Sequence, residues 1–273
     1  MKDVVEYDVK NSTIYNLYEK QLEFLFKNQN LDDDKELNSS INMNIILCSA
    51  CLVEGVLEDR AKLLLGYYSA VYHVLPQKDL ETRRLLNLFL NRTFHSINKN
   101  LCRSIGIEKY NEYFQTIVGK SIYNYDQIKH LLEPIKVLFQ LRNVIAHGRE
   151  INAYTILRDD EASDEYFFGG YKKAQDLLLK NDLLKDCYLD TGNPNYLFTN
   201  QIAGYFYSVA IEFIGVLDKF IEDNIYVTAL IEKQISEISK ATKRIWTPLE
   251  YFRWRSRYAL IDDNVTYDDF VKI

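Results

Sequence analysis

The residues of this chain that are best suited to chemistry lie together between Arg142 and Gly148. Arg142 could hold a phosphate or a carboxylate through its planar guanidinium. His147 could accept or donate a proton, and Asn143, four residues before it, would share its helix face and could orient its imidazole. The same residues would also suit a structural role, with Arg142 in a buried ion pair and His147 at the end of a helix.

The helix that must carry these residues is indicated by apolar side chains at helical spacing over residues 125–147. At about 100° per residue, Arg142 falls inside the apolar arc of this helix, between the directions of Ile135 and Leu138. A guanidinium that points at packed surface needs an acceptor, because an unpaired buried charge is very costly. We therefore expect a carboxylate partner for Arg142, or a cleft or subunit interface open to an anion. Pro134 predicts that the helix begins or kinks close to it.

The same periodicity predicts helices on both sides of the motif. Only four prolines and ten glycines interrupt the 273 residues, which favours long helices. Residues 159–165 are acidic and predict an exposed loop, next to a short hairpin of Tyr154–Leu157 with Tyr166–Phe168. The polar stretch 29–38 predicts a break. We expect an all-α bundle with helices over residues 12–28, 40–68, 80–104, 107–118, 171–185, 193–223 and 226–243.

Composition narrows the classes of protein. The hydrophobic content of 47% and charged content of 26% are ordinary for a globular chain. The net charge of -6 argues against a strongly basic nucleic-acid binder, although a local basic patch is compatible with it. Cys48 and Cys51 form a C-x-x-C inside an apolar helix, without the further ligands of a zinc site. We interpret them as small core residues.

The N-terminal residues and the lengths of the apolar runs indicate where in the cell the protein is located. The first ten residues are charged and lack the apolar segment of a signal peptide. We find no run approaching the roughly 18 apolar residues of a membrane span. The sequence therefore predicts a cytoplasmic protein without membrane association.

The string from Leu141 to Gly148 resembles the signature of the HEPN superfamily (higher eukaryotes and prokaryotes nucleotide-binding). That signature is an Arg, four to six residues and a His, often with a polar residue after the Arg. The resemblance extends more loosely over residues 40–225 and implies an HEPN-like antiparallel helical bundle. Residues 1–39 are then an N-terminal helical extension, and residues 226–273 a C-terminal helix with a basic aromatic tail.

The resemblance implies an activity. Many HEPN proteins are endoribonucleases that need neither metal nor cofactor, and a ribose 2′-OH attacks the adjacent phosphodiester. Arg142 would hold the phosphate, His147 would be the general acid or base, and Asn143 would support them. Some families add an acidic residue on an earlier helix. Glu54 and Glu58 are the candidates here, with solvent-facing charge as the alternative reading of both.

The resemblance also implies partners. The substrate would be RNA, the protein would be a homodimer in which two motifs meet in one cleft, and the setting would be a bacterial toxin or phage-defence system, with an antitoxin protein as partner. One alternative is a non-catalytic HEPN dimerisation or interaction module that partners a nucleotidyltransferase-type antitoxin. Another is an unrelated helical scaffold with a chance Arg–His pair.

Residues 240–258 mix basic and aromatic side chains, a combination that suits single-stranded RNA. The alternative is a terminal segment that docks its rings on the bundle and leaves its charges solvated. The acidic stretch 159–165 would repel RNA unless it folds away, or would meet a basic partner or the other subunit. The candidate RNA-binding residues are Arg149, Lys243, Arg244, Trp246, Arg253, Trp254 and Arg255.

Overall fold

The structure is a computed structural model that describes residues 15–29, 35–74, 106–147, 154–158, 161–165, 169–184, 194–225 and 229–251. These residues are mostly helical, which agrees with the expected all-α class, and they include one two-stranded hairpin. The helices are α1 (Tyr15–Lys27), α2 (Lys35–Val74), α3 (Ile107–Val118), α4 (Lys129–Ala146), α5 (Gly169–Lys180), α6 (Asn200–Asn224) and α7 (Ala229–Thr242). The helix expected over residues 80–104 lies outside the described residues.

Helix α2 begins earlier than the sequence predicts. It starts at Lys35, inside the stretch 29–38 that was expected to be a break. A tertiary contact explains the difference: the Asn38 side chain donates a hydrogen bond to Oδ1 of Asn200 at 2.9 Å. One turn later, buried Asn42 donates to the same oxygen at 2.8 Å. These bonds stabilise the first turns of α2 against the start of α6, a long-range effect that local composition does not reveal.

Helix α3 ends as predicted. Gly119 follows it in the left-handed conformation, with φ 74° and ψ 5°, which a glycine adopts without steric penalty. Asn111 then fixes the turn, because its Oδ1 accepts from the Ile122 backbone N–H at 2.9 Å and from the Ser121 hydroxyl at 2.7 Å.

Helix α4, which carries the motif, follows two short 3-10 turns, Ile122–Asn124 and Asp126–Ile128. It begins at Lys129 and continues through Pro134, which is buried. The expected start at 125 was therefore four residues early. Pro134 lies in the second turn, where its missing N–H removes the bond to the carbonyl of His130 and leaves the later ladder intact.

The hairpin differs from its prediction in the second strand. Strand β1 (Tyr154–Arg158) pairs antiparallel with β2 (Glu161–Glu165), with Tyr154 opposite Glu165 and Arg158 opposite Glu161. The expected partner strand at 166–168 was wrong, because the acidic residues themselves form the strand. Only two residues separate the strands, and so short a connection fixes the register.

The chain divides into two compact units. The motif unit consists of α1, α2 as far as Val56, α4, the hairpin, α5 and α6 as far as Val216. Its core is built from the apolar faces of these helices, and includes Leu22, Ile45, Leu52, Ile135, Leu138, Leu178, Phe206 and Phe213. The second unit consists of α2 from Leu57, α3, α6 from Leu217, α7 and the residues that follow α7. The domain limits at 40 and 225 remain predictions.

The second unit has its own core. The rings of Phe114 and Phe220 meet edge to face at 6.2 Å and 86°. Leu57 and Leu217 of the same unit are fully buried. Arg60 is 3% exposed in this unit. Its guanidinium bonds Asp218 and Asp59, each at 2.6 Å.

Residues Lys35–Ala61 of α2 have the length and apolar composition of a membrane span. The expectation from the sequence that no stretch of this kind is present was wrong here, since residues 37–53 carry no charge. More than half of the most apolar window is buried within the protein. Buried core helices share this composition, so one such helix is weak evidence for membrane insertion. The cytoplasmic location remains a prediction.

Candidate functional site around Arg142

The carboxylate partner expected for Arg142 is Glu54. Nη1 of Arg142 lies 3.1 Å from Oε2 of Glu54, and Nη2 donates to Oε1 at 3.4 Å. The carboxylate thus meets the fork of Arg142, which we define as its two terminal nitrogens. Helix α4 supplies the arginine and α2 the acid, 88 residues earlier in the chain. Both residues belong to the motif unit.

This ion pair is neither sealed in the core nor free in solvent. The side chain of Arg142 is 21% exposed and that of Glu54 is 31% exposed. Glu54 is therefore not the solvent-facing charge that was the alternative interpretation. In so intermediate a setting, removing one partner leaves a half-buried charge unpaired, at a cost of about 1–3 kcal/mol.

The Glu54 carboxylate satisfies only part of the guanidinium. Arginine has five N–H donors, and the carboxylate engages the fork alone. The Nε of Arg142 is buried and has no hydrogen-bond partner within the described part of the chain. The guanidinium also lies 5.8 Å from the ring centroid of Phe139, one turn earlier on α4. This ring supports the cation without accepting a conventional hydrogen bond.

Tyr18 and Cys51 complete the surroundings of the pair. They share a side-chain hydrogen bond, and both are close enough to Glu54 for its charge to act on them. Burial raises the pKa of Cys51, while the Tyr18 hydrogen bond and the charge of Arg142 oppose the rise. The pKa of Tyr18 is raised, chiefly by the neighbouring Cys51 thiol. Both groups are therefore uncharged at neutral pH.

The C-x-x-C does not form a metal centre within the described ranges, where no group of three potential ligands is found. Both thiols are free. Burial raises the pKa of Cys48 to about 11, so this thiol is unreactive at neutral pH. Cys48 fits the expected core role, whereas half-buried Cys51 belongs to the Arg142 surroundings. Sequence reasoning missed that role, although Cys51 precedes Glu54 by three residues on the same helix.

His147 lies at the C-terminal end of α4 and is exposed. Its link to Asn143 is in the backbone, where the His147 N–H donates to the Asn143 carbonyl at 3.3 Å. The five-residue offset from Arg142 corresponds to a rotation of about 140° and a rise of about 7.5 Å. The two side chains therefore leave α4 in different directions.

The other candidate acid, Glu58, is half-buried and belongs to the second unit. Of the candidate RNA-binding residues, Arg149, Arg253, Trp254 and Arg255 lie outside the described residues. The exposed His130 of α4 has an acid partner, because its Nε2 lies 2.9 Å from Oε1 of Glu212.

Lys243, Arg244 and Trp246 follow α7. Arg244 forms an ion pair with Glu250 and lies 5.3 Å from the Trp246 ring. The Trp246 Nε1–H donates to the Thr242 hydroxyl at 2.8 Å. These contacts give Arg244 and Trp246 a local structural role, whereas the Lys243 side chain is exposed.

A capping box explains why Glu250 is held in place. The Glu250 N–H donates to the Thr247 hydroxyl at 3.2 Å, and the Thr247 N–H donates to Oε2 of Glu250 at 3.1 Å. Pro248 occupies the first position of the helix that follows, where its missing N–H removes no bond. Contacts among its own residues therefore hold this turn in place. For the described part of residues 240–258, this favours a structural role over RNA binding.

The chain matches no protein-family model, no curated protein and no solved structure. The resemblance to the HEPN superfamily therefore remains a prediction from the sequence, chiefly from the residues between Leu141 and Gly148.

Proposed function

We propose that this protein is a metal-independent endoribonuclease of HEPN type and acts as a toxin or phage-defence effector. The observation that supports the proposal most is that solvent reaches both motif side chains. Arg142 is partly exposed although it lies in an apolar arc, and His147 is exposed at the end of α4. Groups that bind a phosphodiester and move its protons must be accessible in this way.

In the proposed reaction, the 2′-OH of a ribose attacks the adjacent phosphorus, and the bond to the 5′-oxygen of the next nucleotide breaks. The products are a 2′,3′-cyclic phosphate and a 5′-hydroxyl. His147 takes the proton from the 2′-OH or gives one to the leaving oxygen. Arg142 donates to the nonbridging oxygens as negative charge develops on them. Asn143, on the same side of α4 as His147, supports this group. DNA lacks the nucleophile and is not a substrate.

The proposal includes a homodimer. Arg142 and His147 diverge by about 140° around α4. A second copy related by a two-fold axis would bring its His147 to the phosphodiester that Arg142 of the first copy holds, so that one cleft contains two composite sites and each draws on both chains.

The test is cleavage of single-stranded RNA in EDTA. His147→Ala and Arg142→Ala should each lower the rate by at least about 100-fold, the scale of a lost general acid or phosphate clamp. His130→Ala is the matched control, since His130 is an exposed histidine on the same helix, and it should keep the parent rate. Cleavage that survives in His147→Ala, or that EDTA abolishes, would contradict the proposal.

A second candidate is a non-catalytic interaction module that partners a nucleotidyltransferase-type antitoxin. The Glu54–Arg142 pair favours it, because an arginine already bound to a carboxylate is stable without a substrate. This candidate predicts no cleavage by the parent protein. Binding of the antitoxin would then be unchanged in Arg142→Ala and His147→Ala, whereas a nuclease loses its activity in both.

A further inference from the structure

We infer that Glu54 is an internal competitor for the phosphate-binding fork of Arg142, which holds the site closed to anions until an RNA phosphate displaces it. The inference depends on the proposed function, because it names what regulates that site. It assigns Glu54 a role opposite to that of a supporting acid.

The first argument is geometric. The two oxygens of Glu54 face the two terminal nitrogens of Arg142, at 3.1 Å and 3.4 Å. A phosphodiester offers two nonbridging oxygens to an arginine in the same bidentate manner. Carboxylate and phosphate cannot both occupy the fork, so the binding of one requires the departure of the other.

The second argument concerns access. Nε of Arg142 is buried, so the edge of the guanidinium that includes it is closed to an incoming ligand. Glu54 is the more exposed member of the pair, at 31% against 21%. Solvent therefore reaches both members of the pair. The terminal nitrogens are the edge left for a ligand, and because the carboxylate already occupies them, a phosphate has to replace Glu54.

The third argument is electrostatic. The carboxylate cancels the charge of the guanidinium, and the chain as a whole carries a net charge of -6. The closed pair therefore attracts no polyanion. Partly exposed ion pairs are individually weak, which makes the exchange of a carboxylate for a phosphate feasible. Removing the negative charge of Glu54 should open the fork and strengthen RNA binding.

The experiment measures binding of a 2′-O-methyl RNA oligonucleotide, which lacks the nucleophile, by fluorescence anisotropy in EDTA. Glu54→Gln should bind about three- to tenfold more tightly than the parent. The plot of log affinity against log salt should keep the slope of the parent, because a phosphate occupies the fork in both bound complexes. The control is Glu36→Gln, an exposed site on the same helix with the same change in charge. It should bind like the parent.

Two further variants separate this inference from the proposed function. Arg142→Gln should weaken binding, and Glu54→Gln should have no effect in that background. If Arg142→Gln weakens binding but Glu54→Gln leaves it unchanged or weaker, Glu54 is not a competitor and only this inference fails. If Arg142→Gln binds like the parent, or if no protein binds, the proposed function fails as well. Glu54→Asp, which retains the charge but withdraws it by one methylene, replaces Glu54→Gln if that variant does not fold, with a smaller gain in affinity expected.

Discussion

Two paired arginines of this protein are satisfied to different degrees. Arg60 is 3% exposed, and carboxylates of two residues bond its guanidinium at 2.6 Å. Arg142 is partly exposed. Among the described residues it has one carboxylate partner, at the longer distances of 3.1 Å and 3.4 Å, and its buried Nε has no acceptor. A fully bonded arginine cannot take up a ligand without losing its structural role. An incompletely bonded one can exchange its partner, which is why the chemistry is assigned to Arg142.

Arg60→Met should destabilise the protein, by about 2–4 kcal/mol at pH 7, because it leaves the carboxylates of Asp59 and Asp218 unpaired. Burial raises the pKa of Asp218 from 3.8, although Arg60 acts to lower it. The native carboxyl thus binds its proton at a higher pH than the unfolded one, and stability falls as the pH rises through the native pKa. Without Arg60 that pKa rises further, so the loss should be smaller at pH 5 than at pH 7.

Urea denaturation at both pH values measures this effect. Lys120→Met, which removes an exposed cation from the same unit, is the control and should change stability by less than about 0.5 kcal/mol. A loss for Arg60→Met that is equal at both pH values would show that Asp218 does not control the pH dependence.

At the residue scale, the sequence could predict that Arg142 needs a partner, because the direction of a side chain on a helix follows from its position. It could not choose between Glu54 and Glu58, which are one turn apart on α2. That choice depends on how α2 packs against α4. The contribution of Tyr18 depends on where α1 packs. The sequence of α1 alone does not show that this helix packs next to Glu54 and Arg142.

At the scale of the elements, the sequence correctly predicts a helix end where a neighbouring residue determines it. Gly119 ends α3, and its left-handed backbone follows directly from its type. The starts of α2 and α4 were misplaced because distant contacts and 3-10 turns determine them. The second strand of the hairpin was misplaced because acidic residues favour solvent, and backbone pairing with β1 outweighs that preference.

Asn42 of α2 bonds the segment that follows α1 and the start of α6, and we expect it to stabilise the packing of these helices. It is fully buried, donates to the carbonyl of Phe198 and to Asn200, both at 2.8 Å, and accepts from Gln29 at 2.6 Å. Asn42→Leu has a similar volume but leaves these groups unpaired. We expect a loss of about 2–4 kcal/mol in the free energy of unfolding.

The matched control is Asn44→Leu, two residues along α2, since the Asn44 side chain bonds only the local Ser40 carbonyl among the described residues. It should change stability by less than about 1 kcal/mol. Chemical denaturation monitored by far-ultraviolet circular dichroism measures both variants. Equal losses would mean that the Asn42 network does not connect α1, α2 and α6 energetically.

At the scale of the whole molecule, the net charge of -6 and the paired fork of Arg142 together oppose nonspecific binding of RNA. An effector that spares most cellular RNA until it meets its substrate would need this property. Under the proposed function, a second chain is expected to complete the site, because Arg142 and His147 leave α4 in different directions. The net charge and the divergence follow from composition and spacing, whereas the pairing of Arg142 with Glu54 depends on how the fold brings α2 and α4 together.

A two-chain site should show complementation. Arg142→Ala and His147→Ala are each expected to be inactive as homodimers. In a mixed dimer, one composite site keeps the arginine of one copy and the histidine of the other, while the second site loses both. Random exchange of subunits in an equal mixture should therefore restore about a quarter of the parent cleavage rate, since half of the dimers are mixed and each has one intact site. Native mass spectrometry establishes that mixed dimers have formed. If they form and no activity returns, each site takes both groups from the same chain, and the second copy does not complete it.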